Sequence, residues 1–498
     1  MVSNEPTLVA MFARNAREHG DRTALLTGQA RVTHGAFHAA TECLAGGLKA
    51  VGVRRGDRVA VLAGNRLEVL ALLGAVARLG AILVPINTRM STQEVAHLLA
   101  DAAPVLLVAE AAFVPLAGAY RGGRYCLDGA SAGWLPYSGL ATGSATLMLE
   151  EVRADEGVLM IYTAAVSGQQ RGALLSQRSL SAASQHLVQR LQLDASDVLL
   201  GVLPLYHIAG IGFALACQMA GGATLLLERF DAAAAVQAIE VHRISLCVTF
   251  SPMLAALLDA ARVAGTALSS LRIVSGLEAG DTITRLEAQC PQARFWSGYG
   301  QTEISSAICI APYRERPGAA GRATPPSEVA VANASGQLLP AGQTGEIVVR
   351  GPTVFLGWWD HATRRAIAPP GDWHRTGDLG RFDDQGYLWY SGRAAYKALI
   401  KSGGENIYPG EVEQALLAHP AVATAVVFGV PDPRWGEAVR AVCVTRLDQE
   451  VEADELIEFV ASRIARFKRP RDIVFVESVP TLADGSTNRQ AVANAHSD

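Results

Sequence analysis

Four short strings in this chain gather the residue types that chemistry on a small polyanion needs: hydroxyls, glycines, carboxylates and arginine. Tyr162-Thr163 ends an apolar run, 158–162, and opens a small-residue loop closed by Gly168, Arg171 and Gly172. Such a loop after a strand either cradles a phosphate on backbone N–H groups or is an ordinary turn. Tyr299-Gly300-Gln301-Thr302-Glu303 follows the run 293–296, and Thr376-Gly377-Asp378 sits among β-rich segments, where that tripeptide is common in turns. Gly392-Arg393 precedes Ser402-Gly403-Gly404-Glu405-Asn406-Ile407-Tyr408-Pro409-Gly410-Glu411-Val412-Glu413, in which Gly-Gly before a helix start can be a mere cap. Each string is weak alone. The length of the 403–413 string, the 299–303 string and the order of all four make the functional reading the stronger one.

The elements that must position these strings follow from periodicity. Residues 58–62 read as a strand, 68–79 as a helix, 81–84 as a strand, and 92–100 as a helix ahead of the strand 105–108. The rhythm recurs at 232–242 and 252–264, helices leading into the strands 245–249 and 271–274. The proline- and glycine-rich stretch 316–327 reads as a surface loop. Beyond it the texture turns to β at 328–332, 345–350 and 387–391, and from about residue 394 to βα again, with helices at 409–417 and 453–465 and strands at 423–430 and 438–445. The fold class expected is α/β: a large amino-terminal domain of several subdomains, with parallel sheets plus a β-rich part, and a small α+β carboxy-terminal domain. No fixed-period repeat is present.

The composition excludes several classes. At 498 residues and 50% apolar content the chain can fill a large core. Forty-three basic against 47 acidic residues, a net charge of −4, give no overall footprint for nucleic acid or an anionic membrane. The basic residues comprise four lysines (Lys49, Lys397, Lys401, Lys468) and 39 arginines. Seven scattered cysteines without a Cys-x-x-Cys argue against a disulfide framework or a zinc site and fit a reducing cytoplasm. The amino terminus lacks the basic-then-apolar order of a signal peptide, and the uncharged stretch 208–227 is cut by Gly210, Gly212, Gly221 and Gly222 into a short helix, a turn and the strand 223–227.

On the four strings, together with Pro204-Leu205-Tyr206-His207 and Pro431-Asp432-Pro433-Arg434-Trp435-Gly436-Glu437, the sequence resembles the acyl-adenylate-forming superfamily over nearly its whole length, and within it the acyl- and aryl-CoA ligases. The resemblance implies an AMP-binding domain over 1–392, a hinge at the Gly-Arg pair and a mobile carboxy-terminal domain over 393–498. It implies an ATP-dependent carboxylic acid–CoA ligase using ATP/AMP, Mg²⁺ and coenzyme A, with a small-molecule acid as partner; a homodimer is compatible with it. Catalytic roles fall on Thr302, Glu303, Arg393 and His207. Glu303 would offer a hard carboxylate oxygen to Mg²⁺, Thr302 a donor to the α-phosphate, Tyr299 a flat face to adenine, and Asp378 two acceptors to the ribose hydroxyls. Arg393 would bridge ribose and phosphate. Thr163, Ser167, Gly168 and Arg171 would line the triphosphate, Gly276, Leu277, Glu278 and Gly300 the nucleotide, and Gly403 and Gly404 the pantetheine arm, close to backbone. His207 would lie beside the acyl carboxylate, with Phe250, Ser275, Gly276, Leu277, Gly298, Gly300 and Ile304 walling the acyl pocket; Leu277 and Glu278 replace small residues and would narrow it.

The chain departs from the family pattern in three places. Ala164, Ala165 and Val166 stand where the phosphate loop has hydroxyl or glycine residues, and Gly392-Arg393 is separated from Gly403 by a longer segment than usual. Near the carboxy terminus Ser486 falls where the family places a lysine that reaches the acyl carboxylate and the α-phosphate. A neutral hydroxyl cannot replace that charge, a loss of about a hundredfold or more in rate. Lys397, Lys401 and Lys468 are the candidate substitutes. The alternative is therefore a non-catalytic or half-reaction-only homologue that binds adenylate or acyl-CoA. Replacing Ser486→Lys is expected to raise pyrophosphate release more than thioester formation from a supplied acyl-adenylate; if both rates stay put, residue 486 lies elsewhere.

Overall fold

The structure is a computed structural model describing residues 7–28, 30–118, 120–142, 151–163, 170–394, 399–447, 449–481 and 487–497. Backbone contacts divide the chain into two compact units: Met1–Thr88, Leu99–Tyr162 and Gly172–Gly392 form the first, and Arg89–Leu98, Thr163–Arg171 and Arg393–Asp498 the second.

In the first unit two nine-stranded sheets carry the α/β rhythm. One runs, in spatial order, Arg322–Ala323, Ser306–Pro312, Arg294–Gln301, Ile273–Leu277, Leu246–Phe250, Val198–Gly201, Ala223–Leu226, Thr23–Leu26 and Arg31–Thr33. It is parallel from Arg294–Gln301 to Thr23–Leu26 and antiparallel at both edges. The other contains Gly157–Thr163, Ile82–Pro85, Arg58–Leu62, Leu106–Ala109 and Gly123–Cys126 in parallel at its centre. Strands buried on both faces read as continuous apolar runs, as Arg-Val-Ala-Val-Leu at 58–62 does. Side chains of both sheets (Val59, Leu83, Val158, Val248, Ile273) join those of intervening helices (Phe12, Leu72, Leu187, Ile211) in one apolar cluster. The helix Ile208–Met219 lies within it, nine of its twelve residues buried, which accounts for the uncharged stretch. No helix among the described residues is long and apolar enough to cross a membrane. The β-rich part is a four-stranded sheet, Glu328–Ala332, Gly345–Arg350, His374–Phe382 and Leu388–Arg393, antiparallel across its first three strands.

Two segments differ from the sequence expectation. The stretch 316–327 contains a short strand, Arg322–Ala323, paired with Cys309 and Ile310. Strand Arg294–Gln301 extends past the apolar run to take in Ser-Gly-Tyr-Gly-Gln; pairing with Ser306–Pro312 outweighs the poor strand propensity of glycine.

The second unit is a five-stranded sheet, Glu405–Ile407, Ile400–Ser402, Gly436–Thr445 and Val422–Asp432 with Asp472–Phe475 alongside Gly436–Thr445, packed by the helices Pro409–Leu417 and Ala453–Arg463. Its least expected core residue is Lys468, 2% exposed, whose ammonium donates to Glu411 Oε1 at 2.6 Å and to Glu94 Oε1 of the segment Arg89–Leu98. One cation between two buried carboxylates leaves a negative charge over. Burial, reinforced by Glu94, pushes the Glu411 carboxyl up to about 7 against the pull of Lys468. A group whose pKa is raised on folding stabilises fully below its unfolded value and loses that contribution as pH rises through the folded one. Glu411→Gln mimics the protonated form, so its stability relative to the parent is expected to rise by about 1–2 kcal/mol between pH 5 and 8 in urea unfolding of the full chain; a pH-independent difference would refute the charge surplus.

Candidate nucleotide and acyl site

The first unit brings together two of the sequence-predicted residues that lie 79 positions apart. Tyr299 leaves the Arg294–Gln301 strand, and Asp378 leaves His374–Phe382, so that the phenol donates to Asp378 Oδ2 at 2.8 Å, both residues 7% exposed. Gln301 Nε2 donates to the same carboxylate oxygen at 3.2 Å, to Tyr299 Oη at 3.2 Å and to the Thr376 carbonyl at 3.4 Å. Burial, then the charge of Asp378, push the Tyr299 phenol far above its ordinary range and keep it a donor. The Thr-Gly-Asp turn is fixed from beneath. Thr376 Oγ1 donates to Ile347 O at 2.7 Å and accepts from Asp378 N at 3.1 Å, while Gly377, at φ +72°, gives its N–H to Glu346 Oε1 at 2.9 Å.

Thr302, Glu303 and Ile304 form the single helical turn after the strand. Ile304 is fully buried in the cluster that includes Tyr299, whereas the Thr302 and Glu303 side chains are half-buried; the Glu303 carbonyl is held by Phe355 N at 2.9 Å. Among the described residues no group of three or more His, Cys, Asp or Glu could cage a metal.

The residues expected around the acyl group lie at the carboxyl ends of neighbouring parallel strands, where ligands of open α/β sheets bind. Phe250 faces Leu277, and Gly276 faces Ser297. Gly276, at φ +135°, has no room for a side chain: a Cβ there would come to 1.8 Å from Thr249 O. Ser275 Oγ donates to Trp296 O at 3.0 Å. Leu277 is 59% exposed, while Glu278 turns back to accept from Leu254 N at 3.2 Å at the start of the helix Met253–Ala264, its carboxyl pushed up by burial. Its bulk is therefore engaged with that helix. His207 caps the helix Ile208–Met219, its ring edge-on to Tyr206 at 4.7 Å.

The remaining candidates belong largely to the second unit. Thr163 closes the strand Gly157–Thr163 and Arg171 opens Arg171–Ser176; Ser167 and Gly168, like Ala164, Ala165 and Val166 beside them, fall outside the described residues. Ser486 and Lys397 do too. Arg393 Nη1 donates to Leu399 O at 2.5 Å. Gly403 and Gly404, at φ +57° and +83°, turn the chain between Ser402 and Glu405, and a Cβ on Gly403 would meet the Trp435 ring at 2.8 Å. Of the candidate substitute cations, Lys401 is exposed and Lys468 is engaged by its two carboxylates.

Sequence reasoning quoted Gln301 without giving it a role, and it passed over Glu346 as a brace of the Asp378 turn. Both act through contacts far along the chain, which no local pattern signals.

A nucleotide-type site at the strand ends of a large α/β unit, with a small α+β unit after it, defines a class, and comparison with known proteins agrees. The chain belongs to the AMP-binding enzymes: residues 12–359 match the AMP-binding enzyme family and residues 411–485 the AMP-binding enzyme C-terminal domain. Within that family it lies on the acyl- and aryl-CoA synthetase branch. It is similar to an indoleacetate–CoA ligase of Aromatoleum aromaticum, 35% identical over 96% of both chains, and to a feruloyl-CoA synthase of an Amycolatopsis species, 33% identical over 95% of both. Among solved structures it is similar to the o-succinylbenzoate CoA synthetase of Bacillus subtilis bound to a product analogue, with a TM-score of 0.85 and 27% identity over 97% of this chain and 98% of that one.

Gln301→Met keeps side-chain length and removes the amide that steadies Asp378. Calorimetry is expected to show AMP affinity reduced by about tenfold with the fold intact, the worth of one buried hydrogen bond; unchanged affinity would separate Asp378 from the nucleotide.

Proposed function

We propose that this protein joins a carboxylic acid to coenzyme A in two steps through an acyl-adenylate. A carboxylate oxygen of the acid attacks the α-phosphorus of ATP, the bond to the bridging oxygen breaks and pyrophosphate leaves. The thiol sulfur of coenzyme A then attacks the acyl carbon, AMP departs with the electron pair of the acyl–oxygen bond, and the thiol proton passes to solvent. The observation that carries this reading is the bonded set Tyr299, Gln301 and Asp378 two positions from Glu303, in a chain similar along nearly its whole length to an indoleacetate–CoA ligase and a feruloyl-CoA synthase.

In this reading Asp378, already steadied by two donors, takes the ribose hydroxyls on its remaining acceptor capacity. Tyr299 presents its ring to adenine, and Thr302 donates to the α-phosphate. Glu303 holds Mg²⁺, which when bound neutralises charge on the phosphates. Gly276, Leu277 and Gly300 pass close to the nucleotide by backbone, Thr163, Ser167, Gly168 and Arg171 face the triphosphate, and His207 with Phe250, Ser275, Gly298 and Ile304 receives the acid. Arg393 begins a mobile carboxy-terminal domain, with 1–392 as the AMP-binding domain, and Gly403 and Gly404 admit the pantetheine arm. A cytoplasmic setting suits cysteines that are all free among the described residues.

A second reading, in which only thioester formation from a supplied adenylate survives, is favoured by Ser486 and by Ala164, Ala165 and Val166 in the phosphate loop. Hydroxylamine trapping and pyrophosphate release with a panel of aliphatic and aromatic acids distinguish the two. Acid-dependent pyrophosphate release is expected under the first; none, with thioester formed from synthetic adenylate and coenzyme A, would leave only the second.

A further inference from the structure

The strand Arg294–Gln301 pairs with Ile273–Leu277 only as far as Ser297, while Ser306–Pro312 accompanies it from Trp296 to Gln301. Beyond Ser297, Gly298 and Gly300 are both exposed; a Cβ on Gly298 would come to 3.2 Å from Cys309 O, and one on Gly300 would strike Ser306 O at 2.2 Å. The strand thus leaves bare backbone open along one face.

Alternation puts Trp296 on the same face as the two glycines. Its neighbours in register are Ser275 and, beyond it, Val248, and its ring packs on the large apolar cluster that holds Val248, Ile273, Phe213 and Ile310. The open stretch therefore ends on an indole. From Gly300 to Trp296 it spans about 13 Å of strand. The indole Nε1 is buried and, among the described residues, meets no acceptor. Buried N–H groups are normally paired, and an unpaired one invites a ligand acceptor.

We infer that Trp296 terminates the acyl cleft at a fixed depth and donates its indole N–H to an oxygen at the far end of the acid. This inference rests on the acid–CoA ligase reading and deepens it. The substrate class it names is short, flat aromatic acids carrying a hydroxyl, ether or carbonyl oxygen on the ring. The fit is to a planar ring sliding over two glycines and stacking against an indole, with the distal oxygen satisfying the N–H; a long alkyl chain would run into the ring with nothing to pair it.

The test uses the full chain, with pyrophosphate release measured for paired aryl acids with and without a distal ring oxygen and for an alkanoic acid series. Near-ultraviolet circular dichroism checks that each variant is folded. The parent is expected to favour the oxygenated acid in kcat/KM by about tenfold, one neutral hydrogen bond. Trp296→Phe keeps a ring and removes the donor, so it is expected to erase that preference through KM while retaining the unsubstituted aryl acid. Trp296→Ala is expected to shift the optimum towards longer acids. An oxygen preference that survives Trp296→Phe, or a length profile unmoved in Trp296→Ala, would overturn the inference while leaving the ligase reading standing. Should the parent release no pyrophosphate with any acid, the adenylation reading fails on its own. Calorimetry of the same acid pair on parent and Trp296→Phe then decides the subsite by binding, with equal preference in the two proteins counting against it.

Discussion

The hydrogen bond from Tyr299 to Asp378 is the constraint on which the first unit's chemistry depends. A carboxylate at 7% exposure is costly unless its oxygens are paired, and here one oxygen is met by a phenol and an amide from a different sheet. The two donors sit on the last residues of a parallel-sheet strand, the acceptor in the antiparallel β-rich part, so the bond ties two sheets together at the point where a nucleotide is proposed to sit. The arrangement is asymmetric by chemistry. Burial and the charge of Asp378 keep Tyr299 protonated and hence a donor to that carboxylate. The bracing of the Thr-Gly-Asp turn by Glu346 and Ile347 O follows the same logic, since an acceptor is useful only where its backbone cannot drift.

The strand that carries Tyr299 is built against its own propensities. Ser-Gly-Tyr-Gly would weaken an isolated strand, and it persists because Ser306–Pro312 pairs along it. The two glycines remove side chains from one face while Phe295 and Tyr299 anchor the other in separate apolar clusters. A single strand thereby combines a rigid back with a bare front, ending at Trp296.

Much of the architecture was legible in the sequence, because the signals were local. The helices at 232–242 and 409–417 and the strands at 58–62, 328–332 and 345–350 fall where periodicity and turn residues put them. The stretch 208–227 resolved correctly into helix, turn and strand because its glycines are local too. The site was legible only as strings. That Tyr299 and Asp378 bond directly, that Glu278 folds back on a helix start, and that Trp296 closes a bare strand are consequences of pairings across 20 to 80 residues, and residue type alone does not encode them. Lys468 shows the limit best. Its charge made it a candidate substitute cation, and only packing reveals that the charge is engaged in a core.

That same lysine bears on the departure at Ser486. The chain holds four lysines against 39 arginines, and of the four Lys49 and Lys401 are exposed. Lys468 is buried, and its environment suits it: two carboxylate oxygens close on one nitrogen inside a core, a place for a compact three-donor ammonium and not for a planar fork. A lysine reaching between an acyl carboxylate and an α-phosphate would meet the same demand, and a drift from lysine to arginine would leave arginine at 486, not serine. In the proposed reading the cost of a neutral hydroxyl there falls on the adenylation step, where negative charge accumulates, far more than on transfer of a neutral acyl group to a thiol.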